Sequence, residues 1–89
     1  MTYEIKFSKS VFKFLEKTDK SVLLRFNDVL DLLRKNPYCD KLDIKKIKGK
    51  KNHYRLRIWK YRFLYEVRKD EILVYFYYVD SRWDVYKYL

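Results

Sequence analysis

Between Thr2 and Phe7 the chain alternates, with Tyr3, Ile5 and Phe7 on one side and Glu4 and Lys6 on the other. That period of two is the signature of a half-buried β-strand. At Ser8 the period changes. Ser8 is a helix-capping residue type, and behind it Val11, Phe12 and Leu15 share one arc while Lys9, Lys13, Glu16 and Lys17 occupy the other, which predicts a short amphipathic helix. Thr18 or Asp19 offers a second cap. Val22, Leu23, Phe26, Val29, Leu30 and Leu33 then recur in steps of three and four until Asn36-Pro37 stops the run. The first 37 residues therefore predict a strand followed by a helical hairpin.

From Tyr38 to Asn52 the pattern has no period, and this stretch holds the only glycine, Gly49. It is expected to be a loop, anchored by Leu42, Ile44 and Ile47. Alternation returns from His53 to Ile58, placing Tyr54, Leu56 and Ile58 on one face and Arg55 and Arg57 side by side on the other. Tyr61 to Val67 and Ile72 to Val79 are rich in β-branched and aromatic residues, and Arg68-Lys69-Asp70-Glu71 between them is a polar turn of hairpin length. Asp80 to Leu89 is expected to be a loop or a short terminal segment. The predicted fold is α+β: an N-terminal strand, a helical hairpin, then a three-stranded antiparallel meander, forming one small sheet with the helices packed on one face. Residues 1–89 suit one domain, because a second core needs roughly 50 further residues.

Composition sharpens this picture in two ways. The chain is 48% hydrophobic and 20% aromatic with one Gly and one Pro, so it has ample core material and few breakers. Its net charge of +10 is unevenly spread: Lys41 to Arg62 holds ten Lys and Arg against one acid, Asp43, so nine of the ten net charges fall within 22 residues. A run of this density attracts polyanions, and the expected partner is nucleic acid or an acidic protein. No stretch approaches the ~20 apolar residues of a membrane span, and the start is too short and charged for a signal-peptide core, so no membrane association and a cytoplasmic location are expected. One cysteine, Cys39, and one histidine, His53, do not make a zinc site within one chain; no metal and no cofactor are expected.

The chemistry-bearing residues point in the same direction. There is no Ser-His-Asp arrangement, no Gly-rich phosphate loop and no close pair of carboxylates, since Asp40 and Asp43 read as surface loop residues. What remains is a set of cations and tyrosine: Arg55 and Arg57 on one strand, Arg62 at the start of the next, Arg82 and Tyr86 after the last, with Lys48, Lys50 and Lys51 in the basic loop. Guanidiniums suit phosphate recognition. RNA is cut without a metal when its 2′-hydroxyl attacks the adjacent phosphorus, and clustered cations neutralise the phosphorane that forms. Arg55 and Arg57 are equally well read as the wet face of a strand. Trp59 and Tyr61 read first as hairpin or core packing, and as platforms for unpaired bases only if exposed. His53 reads first as structural, although its titration range suits proton transfer. Tyr38, Tyr65, Tyr75, Tyr77 and Tyr78 are explained by strand packing or the turn.

Lys48-Gly49, His53-Tyr54-Arg55-Leu56-Arg57, Lys60 to Val67, and Val79-Asp80-Ser81-Arg82 with Asp84-Val85-Tyr86 together resemble the RelE/ParE family of toxins, and Tyr-Arg-x-x-Tyr is the most specific piece. Tyr3 to Ser8 and the hairpin ending at Asn36-Pro37 extend the resemblance over nearly the whole chain. Likeness to the RelE-type members implies a metal-independent endoribonuclease that cuts mRNA in the ribosomal A site and leaves 2′,3′-cyclic phosphate and 5′-hydroxyl ends. It implies that Arg62 and Arg82 stabilise the phosphorane or serve the leaving group, that Tyr86 stacks on a base or orients the nucleophile, and that Arg55 and Arg57 hold phosphates. The resemblance also implies an acidic, RelB-like antitoxin as partner besides the ribosome and mRNA. Better-studied members carry lysines where this chain has Arg55 and Arg57, and arginine is a poor base. The proton acceptor is then His53, a loop lysine such as Lys48, or ribosomal RNA, or the site works mainly by electrostatic stabilisation. ParE-like relatives inhibit DNA gyrase without nuclease activity, and the presence of Arg62, Arg82 and Tyr86 argues for the RelE type. The other readings are a non-catalytic basic RNA-binding module and an inactive remnant of the fold.

Overall fold

The computed structural model describes residues 2–80 of the chain. The alternating start forms β1 (Glu4–Phe7), and the hairpin forms α1 (Lys9–Lys17) and α2 (Lys20–Lys35). Ser8 caps α1 as its residue type predicts, its Oγ accepting from the Val11 amide at 3.3 Å. Asp19 is the cap position of α2. At the other end the Asn36 amide donates to the Leu32 carbonyl, and the Asn36 side-chain oxygen accepts from the Tyr38 amide, so Asn36 both ends the helix and turns the chain. One helical position departs from expectation. Phe12 is exposed, and Phe14 packs in its place beside Val11 and Leu15, because it lies three residues from Val11 whereas Phe12 is rotated about 100° off that face.

The second half forms β2 (Ile44–Lys46), β3 (His53–Ile58), β4 (Tyr61–Arg68) and β5 (Leu73–Asp80), with a single 3₁₀ turn at Lys69–Glu71. Among the described residues the sheet therefore has five strands, in the order β1-β5-β4-β3-β2. The predicted meander, β3, β4 and β5, is its centre. β1 lies parallel to β5 at one edge, and at the other edge β2 runs antiparallel to β3 inside what the sequence presented as basic loop. Only Ile44 of β2 packs toward the core, while Lys45 and Lys46 are exposed, so three residues at a charged sheet edge carry no periodic signal.

Both helices cover one face of this sheet, and the core lies between the layers. Phe26 of α2 stacks on Phe63 of β4 with ring centroids 4.7 Å apart, and Phe76 of β5 meets both. Val11, Val29, Leu33, Leu56, Val67 and Val74 are fully buried around them. Tyr65 is also fully buried, and its hydroxyl donates to the Pro37 carbonyl at 2.7 Å, which satisfies both groups and joins the sheet to the end of α2. Burial, reinforced by the neighbouring Tyr54, Tyr38 and Cys39, pushes the Tyr65 phenol well above its ordinary range.

The pairing of β4 with β5 slips by one residue: Leu64 faces Tyr78 but Tyr65 faces Phe76. Tyr77 is thus an extra residue, and Phe76 and Val79 both keep core contacts with two residues between them.

Candidate nucleic-acid interface

Strand alternation divides the side chains of β3 and β4. Tyr54, Leu56, Ile58, Tyr61, Phe63, Tyr65 and Val67 go to the core cluster, and the intervening residues, His53, Arg55, Arg57, Arg62, Leu64 and Glu66, belong to the face without helices. Across the strands Arg57 stands opposite Arg62, and Arg62 stands opposite Asp80. Arg57 is exposed, and its Nε donates to the Trp59 carbonyl at 3.1 Å. Two like charges directly opposite each other in a sheet repel; Asp80 across from Arg62 offsets part of that repulsion, and the three side chains together keep one net positive charge.

Arg55, one pleat along, is less available. Its side chain is about one-quarter exposed and an NH2 donates to Asp43 Oδ1 at 3.1 Å. Asp43, expected to be a surface loop residue, thus holds one of the predicted phosphate ligands. Its own carbonyl accepts from the Arg57 amide, which fastens the approach to β2 alongside β3. The Arg55 Nε is buried with no hydrogen-bond partner.

Farther along β3 comes a cluster that spacing in the sequence does not reveal. His53 stands opposite Glu66, with Nε2 3.6 Å from Glu66 Oε2, and its Nδ1 lies 2.8 Å from the hydroxyl of Tyr77, the bulged residue. With the proton on Nε2, Tyr77 donates to Nδ1 and the imidazole N–H faces the carboxylate. Desolvation, then the charge of Glu66, raises the Tyr77 phenol above its ordinary value. Glu66 also accepts from Arg68 Nε at 2.8 Å, and Arg68 is held more firmly protonated by that bond. His53 is therefore engaged at both nitrogens, which suits a positioning role for Tyr77 and Glu66 more than a free proton acceptor. Tyr77 was expected to be strand packing only. The signal that uncovers it is the bulge, which a single strand's pattern does not carry.

Lys48, Lys50 and Lys51 lie between β2 and β3, where Gly49 adopts a positive φ of 78° and the chain forms an open depression of about 450 Å³ lined by residues 46–51. Lys46 pairs with Tyr54, so this loop lies at the His53 end of β3, while the Arg57 and Arg62 pair lies toward the other end, roughly 13 Å from His53 at the ordinary strand rise, with Trp59 beyond it. The predicted cations thus form a band along one strand rather than one tight cluster. Arg82 and Tyr86 lie outside the described residues. Among the described residues no three or more His, Cys, Asp or Glu side chains stand together as a metal site, and no helix is long and apolar enough to cross a membrane.

The hairpin joining β3 to β4 contains only Trp59 and Lys60. Tyr61, beside it, packs edge-on against Phe14 at 5.2 Å as expected of hairpin packing, but Trp59 is 55% exposed and has a φ of 54°.

Residues 5–86 match the family described as the ParE toxin of the type II toxin-antitoxin system, parDE. The chain belongs to the RelE/ParE toxin family. It is 33% identical to the RelE1 protein of Methanocaldococcus jannaschii over 88 residues, 98% of either chain. Among solved structures it is similar to the RelE-RelB complex of Pyrococcus horikoshii, with a TM-score of 0.80 and 30% identity over 92% of this chain and 97% of that one. The isolated Escherichia coli RelE toxin shares the fold at 21% identity, with a TM-score of 0.76 over 97% of this chain and 93% of that one. The RelE/ParE resemblance of the sequence and the α+β class with helices on one face are thus both borne out, with five strands in place of four.

Proposed function

We propose that residues 1–89 act as one toxin domain that cleaves mRNA in the ribosomal A site by metal-independent transesterification. The observation that carries this reading is the cross-strand pair of Arg57 and Arg62 on the open sheet face, in a chain related to RelE toxins. The 2′-oxygen attacks the adjacent phosphorus, the bond to the 5′-oxygen breaks, and a 2′,3′-cyclic phosphate and a 5′-hydroxyl result. The 2′-hydroxyl proton passes to an acceptor and the departing oxygen takes up a proton. Arg57 and Arg62 stabilise the phosphorane charge, joined by Arg82 and Tyr86 as the resemblance assigns them. Arg55 holds a neighbouring phosphate when Asp43 releases it, and Lys48, Lys50 and Lys51 follow the strand beyond. Because arginine is a poor base, electrostatic stabilisation is the main contribution of these side chains. An acidic, RelB-like antitoxin is the partner that keeps the toxin in check, attracted by the same field.

A second reading has its own support, since the matching family is described by its ParE members: a toxin that inhibits DNA gyrase and cuts nothing. The test is to incubate the protein with mRNA on programmed ribosomes, with naked mRNA, and with gyrase and supercoiling substrate. An Arg62→Ala/Arg82→Ala double variant is run alongside. Cleavage confined to ribosomes, with cyclic phosphate ends and loss in the double variant, is expected. Gyrase inhibition without cut RNA would support the second reading. RNA binding without products would reduce the protein to a binding module.

A further inference from the structure

Trp59 is the residue whose placement the fold explains least. A two-residue β-hairpin turn that needs a positive φ ordinarily takes Gly, Asn or Asp there. This chain puts its bulkiest side-chain type at that position, with φ 54°, and spends its one glycine elsewhere. A bulky residue in the left-handed region costs stability that its surroundings must offset. Full burial does not explain it, because 55% of Trp59 faces solvent. Its neighbours on both sides are anchored without it: Ile58 is buried, and Tyr61 lies on Phe14. The indole is therefore held out at the tip of the hairpin, one residue beyond the core.

What surrounds it is cationic. Arg57 donates to the Trp59 carbonyl, Lys60 follows it directly with its ammonium 5.4 Å from the centre of the Tyr61 ring, and Arg62 faces Arg57 across the strands. An exposed aromatic plane beside a row of phosphate-binding cations is the combination by which proteins hold single-stranded nucleic acid: cations follow the backbone and a base stacks on the ring.

We propose that Trp59 is a stacking platform for one unpaired RNA base, placed next to the phosphate held between Arg57 and Arg62. This rests on the reading of the protein as an RNA-acting toxin and adds a subsite to it. Duplex RNA offers phosphates but no free base face, so the platform selects single strands. The ring would touch the base and not the reacting phosphorus, so it holds substrate and transition state alike, and its loss appears in KM more than in kcat.

The test uses Trp59→Gly and Trp59→Phe. Glycine is the residue best suited to the backbone at this position, so Trp59→Gly removes the ring without adding strain. Binding of a fluorescently labelled single-stranded oligoribonucleotide and of its duplex is measured by anisotropy, folding by circular dichroism, and cleavage on programmed ribosomes by initial rates. Trp59→Gly is expected to weaken single-strand binding and raise KM by roughly 5- to 150-fold, the range that loss of one base stack gives. Duplex affinity should stay within about twofold, and Trp59→Phe within about threefold of the parent for both, on the same account. Should Trp59→Gly fail to fold, the folded phenylalanine variant decides: single-strand RNA must quench the indole emission of the parent, and that quench must vanish in Trp59→Phe, which retains only Trp83. Single-strand affinity unchanged in Trp59→Gly, an equal loss for single strand and duplex, an equal loss for a poly-glutamate peptide (which would assign the tip to an acidic protein), or no quench at saturating RNA would each overturn the proposal. A parent protein that shows the Trp59-dependent single-strand preference but cuts no mRNA on ribosomes would leave the platform standing and remove the cleavage reading. Cleavage with KM unchanged in Trp59→Gly would do the reverse.

Discussion

Replacing Arg57 with glutamine separates what the open face does for the fold from what it does for RNA. Arg57 and Arg62 are direct cross-strand partners. Like charges directly opposite each other are destabilising, on the scale of the ~0.2–1 kcal/mol typical of cross-strand pairs. Arg57→Gln removes that repulsion. It also removes the exposed hydrogen bond from Nε to the Trp59 carbonyl, a loss of about 0.5–1 kcal/mol. The two effects nearly cancel, so stability should change by less than about 0.5 kcal/mol, and the melting temperature by less than about 4 °C in a domain of this size. On the cleavage reading, the cost to catalysis is of another order. One charge-assisted hydrogen bond to phosphate contributes about 1.5–3 kcal/mol, so kcat/KM on programmed ribosomes should fall about 10- to 150-fold. The assay pairs thermal unfolding by circular dichroism with single-turnover cleavage. A melting temperature lowered by more than about 8 °C would show that Arg57 holds the hairpin together, and unchanged cleavage in a stable variant would show that the pair does not contact the scissile phosphate.

Two further outcomes test the fold. Tyr65→Phe strands the buried Pro37 carbonyl that the phenol serves at 2.7 Å, so stability should drop by about 1–3 kcal/mol, read from urea unfolding at neutral pH. The same phenol makes the fold alkali-sensitive. Its folded value lies above the ordinary 10.0, so the unfolded chain loses this proton first, and the stabilisation is whole below pH 10 and lost as pH climbs toward the raised folded value. Urea unfolding across pH 9–12 should show stability falling by up to about 1.4 kcal/mol per pH unit from this group, with a shallower fall in Tyr65→Phe. Ile72, a β-branched residue at φ 50° between the 3₁₀ turn and β5, is strained there. Ile72→Asn should raise stability by about 0.5–1 kcal/mol, and a lower melting temperature would mean that the partial burial of Ile72 outweighs its backbone strain.

What the sequence discloses and what it hides divide along a physical line. Alternation and helical spacing report which side of one element is apolar, and on that basis both helices, the central meander and the pairing of Arg55 and Arg57 on one face are legible. Interactions between elements leave no such trace. The third residue of the His53 cluster is Tyr77, brought there by a one-residue slip between β4 and β5, and nothing within Leu73–Asp80 alone announces it. Asp43 reads as a loop acid until β2 pairs with β3 and carries it to Arg55. Trp59 reads as packing until the two-residue turn places it outside the core with a positive φ. Each of these lies on the open face or its rim, and there is a reason for that. Core positions must agree with the local pattern, because burial rewards that agreement residue by residue, whereas a face the helices leave uncovered is free to break the pattern wherever a charge or a ring is needed. Tyr77, Asp43 and Trp59 are therefore the positions where, on the RNA-acting reading, substitution should change recognition before it changes the fold.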